Sequence, residues 1–263
     1  MKKKTIPAKK LHAYIRAAIQ VVFFVCFPSA FTTAFSAIKS IFTQIGSQAP
    51  IAWSSFLTVC LALCAFTIIF GRFFCGYACA FGSLGDAVRS LYVFLCKKCK
   101  KKPITWKPKK LPLHFLKYGV LLVVGCLCFT GVYSDLKGWN PWDVFSMLTA
   151  GKLPNASYKI GIILLVLILI GMCTQERFFC QFLCPMGAVF AMMPILPSAL
   201  FNRNREKCPS KCGLCKKRCP AHLEIDGDTP LSGECICCHA CQVTCPRKNI
   251  QIGPVKEREM VKE

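Results

Sequence analysis

The most informative stretches of this chain are KCPSKCGLCKKRCP, at residues 207–220, and ECICCHACQVTCP, at residues 234–246. Their cysteines follow the patterns Cys208-x3-Cys212-x2-Cys215-x3-Cys219-Pro220 and Cys235-x2-Cys238-x2-Cys241-x3-Cys245-Pro246. Two-residue gaps let one loop turn three thiolates toward one centre, and the proline after each fourth cysteine stops a helix there. The two runs therefore predict a pair of matched cysteine sites.

The spacing of these cysteines predicts two [4Fe–4S] clusters. The second run has the bacterial two-cluster spacing, and the first run has one extra residue in its opening gap. In such proteins the fourth cysteine of each run ligates the other cluster. We therefore assign cluster 1 to Cys208, Cys212, Cys215 and Cys245, and cluster 2 to Cys235, Cys238, Cys241 and Cys219. Zinc is the alternative, because C-x2-C pairs also bind zinc, but zinc gives no reason for two matched runs that each end in proline.

The composition predicts that this iron–sulfur protein lies in a membrane. The chain has 263 residues, a mean hydropathy of +0.46 and only 12 acidic residues. A helix needs about 20 apolar residues to cross a bilayer. Four stretches approach that length, at about 13–37, 51–70, 118–134 with an extension back to 111, and 160–175. A buried soluble core is the alternative, but four such runs in about 200 residues would be unusual for one.

The distribution of positive charge predicts the orientation of these spans. The net charge is +22, and lysines cluster before the first span and between the second and third. By the positive-inside rule, both termini and residues 71–110 are expected in the cytoplasm, and residues 38–50 and 135–157 outside. From residue 202 onward, 12 basic and 8 acidic side chains would be nearly balanced by about −4 from two oxidised clusters. This balance argues against a nucleic-acid partner.

The first 200 residues contain an internal repeat. The motif Arg72-Phe73-Phe74-Cys75-x3-Cys79-x2-Gly82 recurs 105 residues later as Arg177-Phe178-Phe179-Cys180-x3-Cys184-x2-Gly187. His12 and Cys26 recur as His114 and Cys128, 102 residues later. We expect two halves, about 11–100 and 111–200, each made of two spans followed by the motif and both running in the same direction. The first span would then be retained rather than removed as a signal peptide.

The duplicated C-x3-C motif is a second candidate site. Residues i and i+4 of a helix share one face, so a two-fold arrangement of the halves would bring four thiols together. These are Cys75, Cys79, Cys180 and Cys184. They could hold a further cluster or a metal ion, with Arg72 and Arg177 offsetting its negative charge. Packing is the open alternative, because a reduced cysteine is a small apolar residue.

Other candidates carry weaker signals. Cys96-x2-Cys99 lies among lysines, which favour thiolates, so it is a redox or metal pair or an interfacial segment with incidental thiols. The repeat-related His12 and His114 could bind haem or a quinone head group, although single histidines at this position are usually interfacial. Cys237 lies inside the second run but out of register, and we interpret it as a spare thiol.

Four spans, two R-F-F-C-x3-C motifs and the trailing cysteine runs together resemble the NosR/NapH-type membrane ferredoxins. The resemblance covers roughly residues 10–250. The family pattern is C-x3-C-P twice; this chain keeps it at Cys184-Pro185 but has Ala80 after Cys79. The resemblance implies electron transfer at the cytoplasmic membrane, often toward an extracytoplasmic reductase or a flavin-bearing partner.

We therefore predict an all-α polytopic membrane domain over residues 1–201 and a small α+β 2[4Fe–4S] ferredoxin-like domain over residues 202–263. The protein is expected to relay single electrons between a cytoplasmic or quinone donor and a membrane or extracytoplasmic redox partner. It would be a component of an oxidoreductase system rather than a stand-alone enzyme. Two alternatives stay open: a membrane reductase in the maturation of another metalloenzyme, and a redox or iron sensor.

Overall fold

The computed structural model of the chain describes residues 8–51, 53–105, 113–136, 138–199, 201–203, 208–209, 212–221, 223 and 233–253. Most of these residues are helical, as predicted. The helices are α1 (Ala8–Cys26), α2 (Ala30–Gly46), α3 (Ser55–Phe70), α4 (Ala80–Lys98), α5 (Leu116–Phe129), α6 (Pro141–Thr149), α7 (Lys159–Thr174), α8 (Phe178–Phe182), α9 (Pro185–Met192), α10 (Leu214–Arg218) and α11 (Ala240–Thr244). The strands are β1 (Phe201–Arg203) and β2 (Ile250–Ile252), and a π-helical turn covers Phe74–Ala78.

The internal repeat is visible in the order of the helices. In the first half, α1, α2 and α3 precede the motif turn at Phe74–Ala78, and α4 follows it. In the second half, α5, α6 and α7 precede α8, which carries the second motif, and α9 follows. Helix α4, which follows the first motif, begins at Ala80. Each half therefore has three helices before its motif.

The first predicted span, residues 13–37, is not one continuous helix. Helix α1 ends at Cys26, α2 begins at Ala30, and the two helices meet at a bend of 59°. Pro28 lies in this break, and a proline inside a helix removes a backbone donor and collides with the preceding turn. Helix α2 then continues to Gly46, so much of the segment predicted as an outer loop, residues 38–50, is helical.

The described helices differ in whether they can cross a bilayer. Among the described residues, the segment Ala156–Thr174 is 19 residues long and apolar enough to do so. The bent pair α1 and α2 passes the same test if the two helices form one span. Helices α3 and α5 are apolar but only 16 and 14 residues long. Both helices are shorter than the ~20 residues that a helix needs to cross the hydrocarbon core.

The interior of the helical part is built from aromatic side chains around the two motifs. Phe81 stacks on Phe179 with ring centroids 4.1 Å apart, and Phe31 packs against both rings. The outer faces of the long helices are also apolar, with large exposed side chains such as Val25 on α1 and Leu167 on α7. Soluble monomers rarely expose large contiguous apolar patches, so these outer faces favour a lipid environment.

The C-terminal cysteine runs fold around a small antiparallel ribbon. Strands β1 and β2 pair with Phe201 opposite Ile252 and Arg203 opposite Ile250. Helices α10 and α11, which each end at the fourth cysteine of a run, pack against each other. Phe201 and Ile250 are buried together with Cys215, Cys237 and Cys241. This part combines helices and strands, as we expected for a ferredoxin-like unit.

Candidate iron–sulfur and thiol sites

Four cysteines from the two runs line one cavity beside the β-ribbon. They are Cys219 of the first run and Cys235, Cys238 and Cys241 of the second. The other walls of the cavity include Phe201, Leu223, Ile236 and His239. The structure thus brings together the set assigned to cluster 2, including the cysteine from the other run. An apolar cavity with four thiols fits a [4Fe–4S] cluster.

Asn249 connects cysteines of the two runs on the other side. Its backbone N–H donates to the Sγ atom of Cys245 over 3.4 Å, and its Nδ2 donates to the Sγ atom of Cys208 over 3.6 Å. The fourth cysteine of the second run therefore lies near the first cysteine of the first run, as the assignment of cluster 1 requires. Hydrogen bonds to cluster sulfurs also tune the reduction potential.

The thiols that line the cavity are weak acids in this structure. Burial, together with the charges of the neighbouring Cys235, Cys238 and Cys219, raises the pKa of Cys241 to about 12. Burial likewise raises the pKa of Cys219 to about 11. Because cluster ligands must be thiolates, iron binding here has to displace protons, and cluster assembly should depend on pH.

No three His, Cys, Asp or Glu side chains in the described part of the chain are arranged to hold a single metal ion. Four thiolates around one zinc ion lie about 3.8 Å apart, given a Zn–S distance of ~2.3 Å and tetrahedral geometry. In a [4Fe–4S] cluster each thiolate binds a different iron atom, so the sulfur atoms are more widely spaced. A zinc ion would need its thiolates at the shorter of these two spacings.

The four C-x3-C thiols lie in one buried region between the two halves. Cys75, Cys79, Cys180 and Cys184 are each 5–6 % exposed and share the aromatic core. Burial raises the pKa of Cys184 well above its ordinary value, and the charges of the other three thiols would raise it further. The fold thus brings the two motifs together, as the repeat predicted.

The local geometry of the motif differs from the prediction in one respect. The second cysteine of each pair is not in the same helix as the first, but lies at the break before the next helix. Cys79 (ψ 118°) precedes α4 and Cys184 (ψ 111°) precedes α9, so both have extended backbone. The Cys184 Sγ accepts the backbone N–H of Gly187 at 3.1 Å. Ala80 takes the position of Pro185 without changing where the helix begins.

Arg177 crosses from the second half into the first motif. It donates to the carbonyl oxygens of Cys75 and Gly76, the latter over 2.8 Å. Its Nε and Nη2 atoms bind both carboxylate oxygens of Asp86, over 2.8 and 2.6 Å. Burial alone would raise the pKa of Asp86, but Arg177 and Arg16 more than offset this, so the pKa is below its ordinary value. The guanidinium fills the space beside Gly82, where any side chain would collide with it.

Arg72 makes the corresponding crossing from the first half, but it is incompletely paired. Its Nη2 atom lies beside Gly187, 3.1 Å from where a side-chain Cβ would be. Its Nη1 atom donates to the carbonyl oxygen of Gly233 over 3.1 Å. Nε and Nη2 have no hydrogen-bond partner among the described residues, although the side chain is only 1 % exposed. Leaving buried donors unpaired is costly, and an anionic group on the adjacent thiols would satisfy them.

The second cysteine run lies directly on the first motif. The backbone of Gly76 is so close to the carbonyl oxygen of Ile236 that a side chain there would collide with it. Tyr77 Oη donates to the carbonyl oxygen of Cys238 over 3.3 Å. The spare thiol of Cys237 packs against Gly71, 2.7 Å from where a side-chain Cβ would be. The loop that carries the second cysteine run, residues 233–241, is therefore the part that faces the C-x3-C thiols.

The structure describes the surroundings of most of the weaker candidates, which are His12, Cys96 and Cys99. His12 Nε2 is hydrogen-bonded to Tyr77 Oη at 3.0 Å. The side chain of His114 lies outside the described residues. Cys96 and Cys99 are at the end of α4, half-buried and exposed respectively. Sequence reasoning did not identify the partners that matter most, which are Asp86, Arg16, Lys117, Glu234 and Asn249. Charged residues within apolar segments were the signal for Arg16 and Lys117.

A family model described as "4Fe-4S binding domain" matches residues 51–102 and 160–204. The matched segments contain both C-x3-C motifs and none of the eight cysteines of the C-terminal runs. The family model therefore matches the later part of each repeat half, including its motif.

Curated relatives are similar to this chain over most of its length. The chain is 28% identical over 89% of its length to the uncharacterized protein MJ0750 of Methanocaldococcus jannaschii, of which the alignment covers 92%. It is 24% identical to the putative electron transport protein YccM of Escherichia coli, over 78% of this chain and 57% of YccM. It is 26% identical to the regulatory protein NosR of Pseudomonas aeruginosa, over 67% of this chain and 24% of NosR. The chain thus spans less than two thirds of the length of most of its curated relatives. No solved structure matches it.

The cross-run ligation predicts a specific loss in the Cys245→Ala variant. That variant should lose the cluster of Cys208, Cys212 and Cys215, and keep the cluster of the second run. Anaerobic purification followed by iron and sulfide analysis and EPR measures this loss. Cys237→Ala is the matched control and should retain both clusters, because Cys237 is out of register. Loss of only the second run's cluster in Cys245→Ala would contradict the assignment.

The contact between Arg177 and Gly82 predicts a stability difference between two glycine substitutions. Gly82→Ala should destabilise the protein by ~1–3 kcal/mol, because the added methyl group forces the buried guanidinium to move. Gly119→Ala is the control: its added Cβ meets no atom within 4 Å, so it should be neutral or slightly stabilising. Thermal unfolding in detergent compares the two. Equal stability of both variants would show that the crossing is loosely packed.

Proposed function

We propose that this chain, whose resemblance to the NosR/NapH-type membrane ferredoxins the comparisons confirm, relays single electrons through a membrane-bound iron–sulfur centre. One relative is named as a putative electron transport protein and another as a ferredoxin-type protein. The finer proposal is that electrons pass between the two C-terminal clusters and a thiol site in the membrane domain. The clusters would supply the redox chemistry, and the protein supplies their placement and tunes their potentials.

The seating of the cluster 2 loop on the first motif is the observation that carries this proposal. Gly76 lies against Ile236, and Tyr77 bonds to the backbone of Cys238. Cluster 2 would therefore be the inner member of the pair and cluster 1 the outer one, open to a soluble partner. This order defines a path from a soluble partner through cluster 1 and cluster 2 to the membrane domain. Electrons could move along this path in either direction.

We further propose that Cys75, Cys79, Cys180 and Cys184 act as one site that holds an additional iron–sulfur cluster. Three observations support this. The thiols share one buried region, Arg72 directs unpaired donors into that region, and the matching family model covers both motifs. A negatively charged inorganic centre would provide the acceptors that Arg72 lacks.

The proposed topology has four spans with both termini and the cluster domain in the cytoplasm. The lysine asymmetry and the exposed apolar faces support it. All cysteine sites would then lie at the cytoplasmic face of a hydrocarbon core that is ~30 Å thick. An acceptor outside the cell membrane would need another carrier, such as a quinone or a flavin-bearing partner. The protein would therefore work with a redox partner within the bilayer.

The proposed thiol site predicts a block in electron flow without loss of the C-terminal clusters. Cys79→Ser and Cys184→Ser should each reduce electron flow from reduced clusters to a quinone analogue by at least tenfold. The double variant should lose no more, because residues that act as one unit are non-additive. Cys60→Ser, in α3 outside the motifs, is the matched control and should behave as wild type. Wild-type flow in the double variant would reduce the four thiols to a packing role.

The proposed topology predicts which introduced cysteines an impermeant reagent reaches. In a background with accessible native thiols blocked, Ser134→Cys and Ser157→Cys should be labelled from outside intact cells. A cysteine that replaces Lys256, which lies outside the described residues, should be labelled only after permeabilisation. External labelling at position 256 would overturn the topology.

A further inference from the structure

The carboxylate of Asp86 is the centre of a charged cluster in the first half. Arg177 binds it with two hydrogen bonds, and Arg16 and Gln20 each donate to it over 2.7 Å. Arg177 reaches this carboxylate by crossing from the second half. Asp86 therefore connects α1, α4 and the second motif.

The second half contains equivalent cationic side chains but has no equivalent of the Asp86 carboxylate. At the offset of 105 that relates the motifs, Asp86 corresponds to Ala191 and Arg177 corresponds to Arg72. At the offset of 102 that relates the preceding helices, Arg16 corresponds to Tyr118, which follows Lys117. Symmetry between the halves would thus leave Arg72 and Lys117 facing a position without an acid.

Glu234, from the loop of cluster 2, occupies that position. Its carboxylate accepts hydrogen bonds from Lys117 and, over 3.0 Å, from Tyr118 Oη, and it lies 3.5 Å from Arg72 Nη1. The adjacent Gly233 approaches the carbonyl oxygen of Ala191 so closely that a side chain at 233 would collide with it. The small side chain of Ala191 leaves this space free for the loop.

We propose that Glu234 completes the second half of the membrane domain in the way that Asp86 completes the first, and so docks the cluster 2 loop on the C-x3-C thiols. Glu234 immediately precedes Cys235, a proposed ligand of cluster 2. It is thus a positioning residue, which fixes the cluster through its neighbour. The docking itself stands on these contacts, and only its effect on electron flow rests on the proposed function.

The charges make the docked arrangement the favoured one. The Lys117 side chain is fully buried, and that of Arg72 is 1 % exposed. Removing one partner of a buried pair leaves an uncompensated charge, which is strongly unfavourable. When Glu234 loses its charge, Lys117 and Arg72 remain as two neighbouring buried cations without a carboxylate partner. Contact with water would then stabilise both. The loop should then separate from the membrane domain, where water can reach both cations.

The spare thiol of Cys237 reports on docking, because it is 4 % exposed and packs against Gly71. In the anaerobic, cluster-loaded protein, we expect N-ethylmaleimide to modify Cys237 at least tenfold faster in Glu234→Gln than in wild type. Peptide mass spectrometry measures the modification, and retained iron shows that the fold is intact. Glu176→Gln is the matched control, because it removes an exposed acid at the other motif and should leave Cys237 protected.

A double-mutant cycle separates docking from general loosening. Lys117→Gln should also expose Cys237, and the Glu234→Gln/Lys117→Gln double variant should show less exposure than the sum of the two effects, because the residues form one pair. Ala191→Asp supplies the missing carboxylate within the second half, and should expose Cys237 although Glu234 is present. Protection of Cys237 in Glu234→Gln, or fully additive effects in the cycle, would overturn the proposal. These readouts need no electron acceptor, so failure of the relay would not imitate failure of docking.

Discussion

Two buried arginines determine how the halves of this protein fit together. Arg72 and Arg177 are 1–2 % exposed, and each reaches into the cysteine motif of the opposite half. A buried charge is tolerated only when it is paired and hydrogen-bonded. Asp86 supplies this pairing for Arg177, while Arg72 depends on Gly233, Glu234 and the thiols around it. The proposed docking of the second cysteine run and the proposed thiol site both build on this unequal pairing.

The same constraint explains the glycines of the motif. Gly82 and Gly187 are repeat equivalents, and each lies where the arginine of the other half needs space. Each motif therefore contributes an arginine that reaches into the opposite half. It also contributes a glycine that leaves space for the arginine of that half. Its two cysteines lie beside this crossing. This arrangement would place any centre that they hold at the interface of the halves, next to positive charge.

The sequence allowed a good part of this account to be predicted. Cysteine spacing predicted that Cys219 lies with cysteines of the second run. The repeat predicted that the two C-x3-C motifs meet. The break at Pro28 was missed, since the apolar pattern continues through it from α1 into α2. The role of Glu234 was beyond sequence reasoning, because the repeat predicts an acid at position 191, and the acid that is used lies 43 residues further along the chain. A contact between a repeat and an appended domain leaves no periodic signal.

The proposed relay requires that the C-terminal cysteine runs hold clusters. The most direct measurement is iron, acid-labile sulfide and zinc in the anaerobically purified wild-type protein, with EPR of the reduced sample. The account predicts about eight irons and as many sulfides from the C-terminal runs, additional metal from the C-x3-C site, and magnetically interacting clusters. Stoichiometric zinc with little iron or sulfide would contradict it.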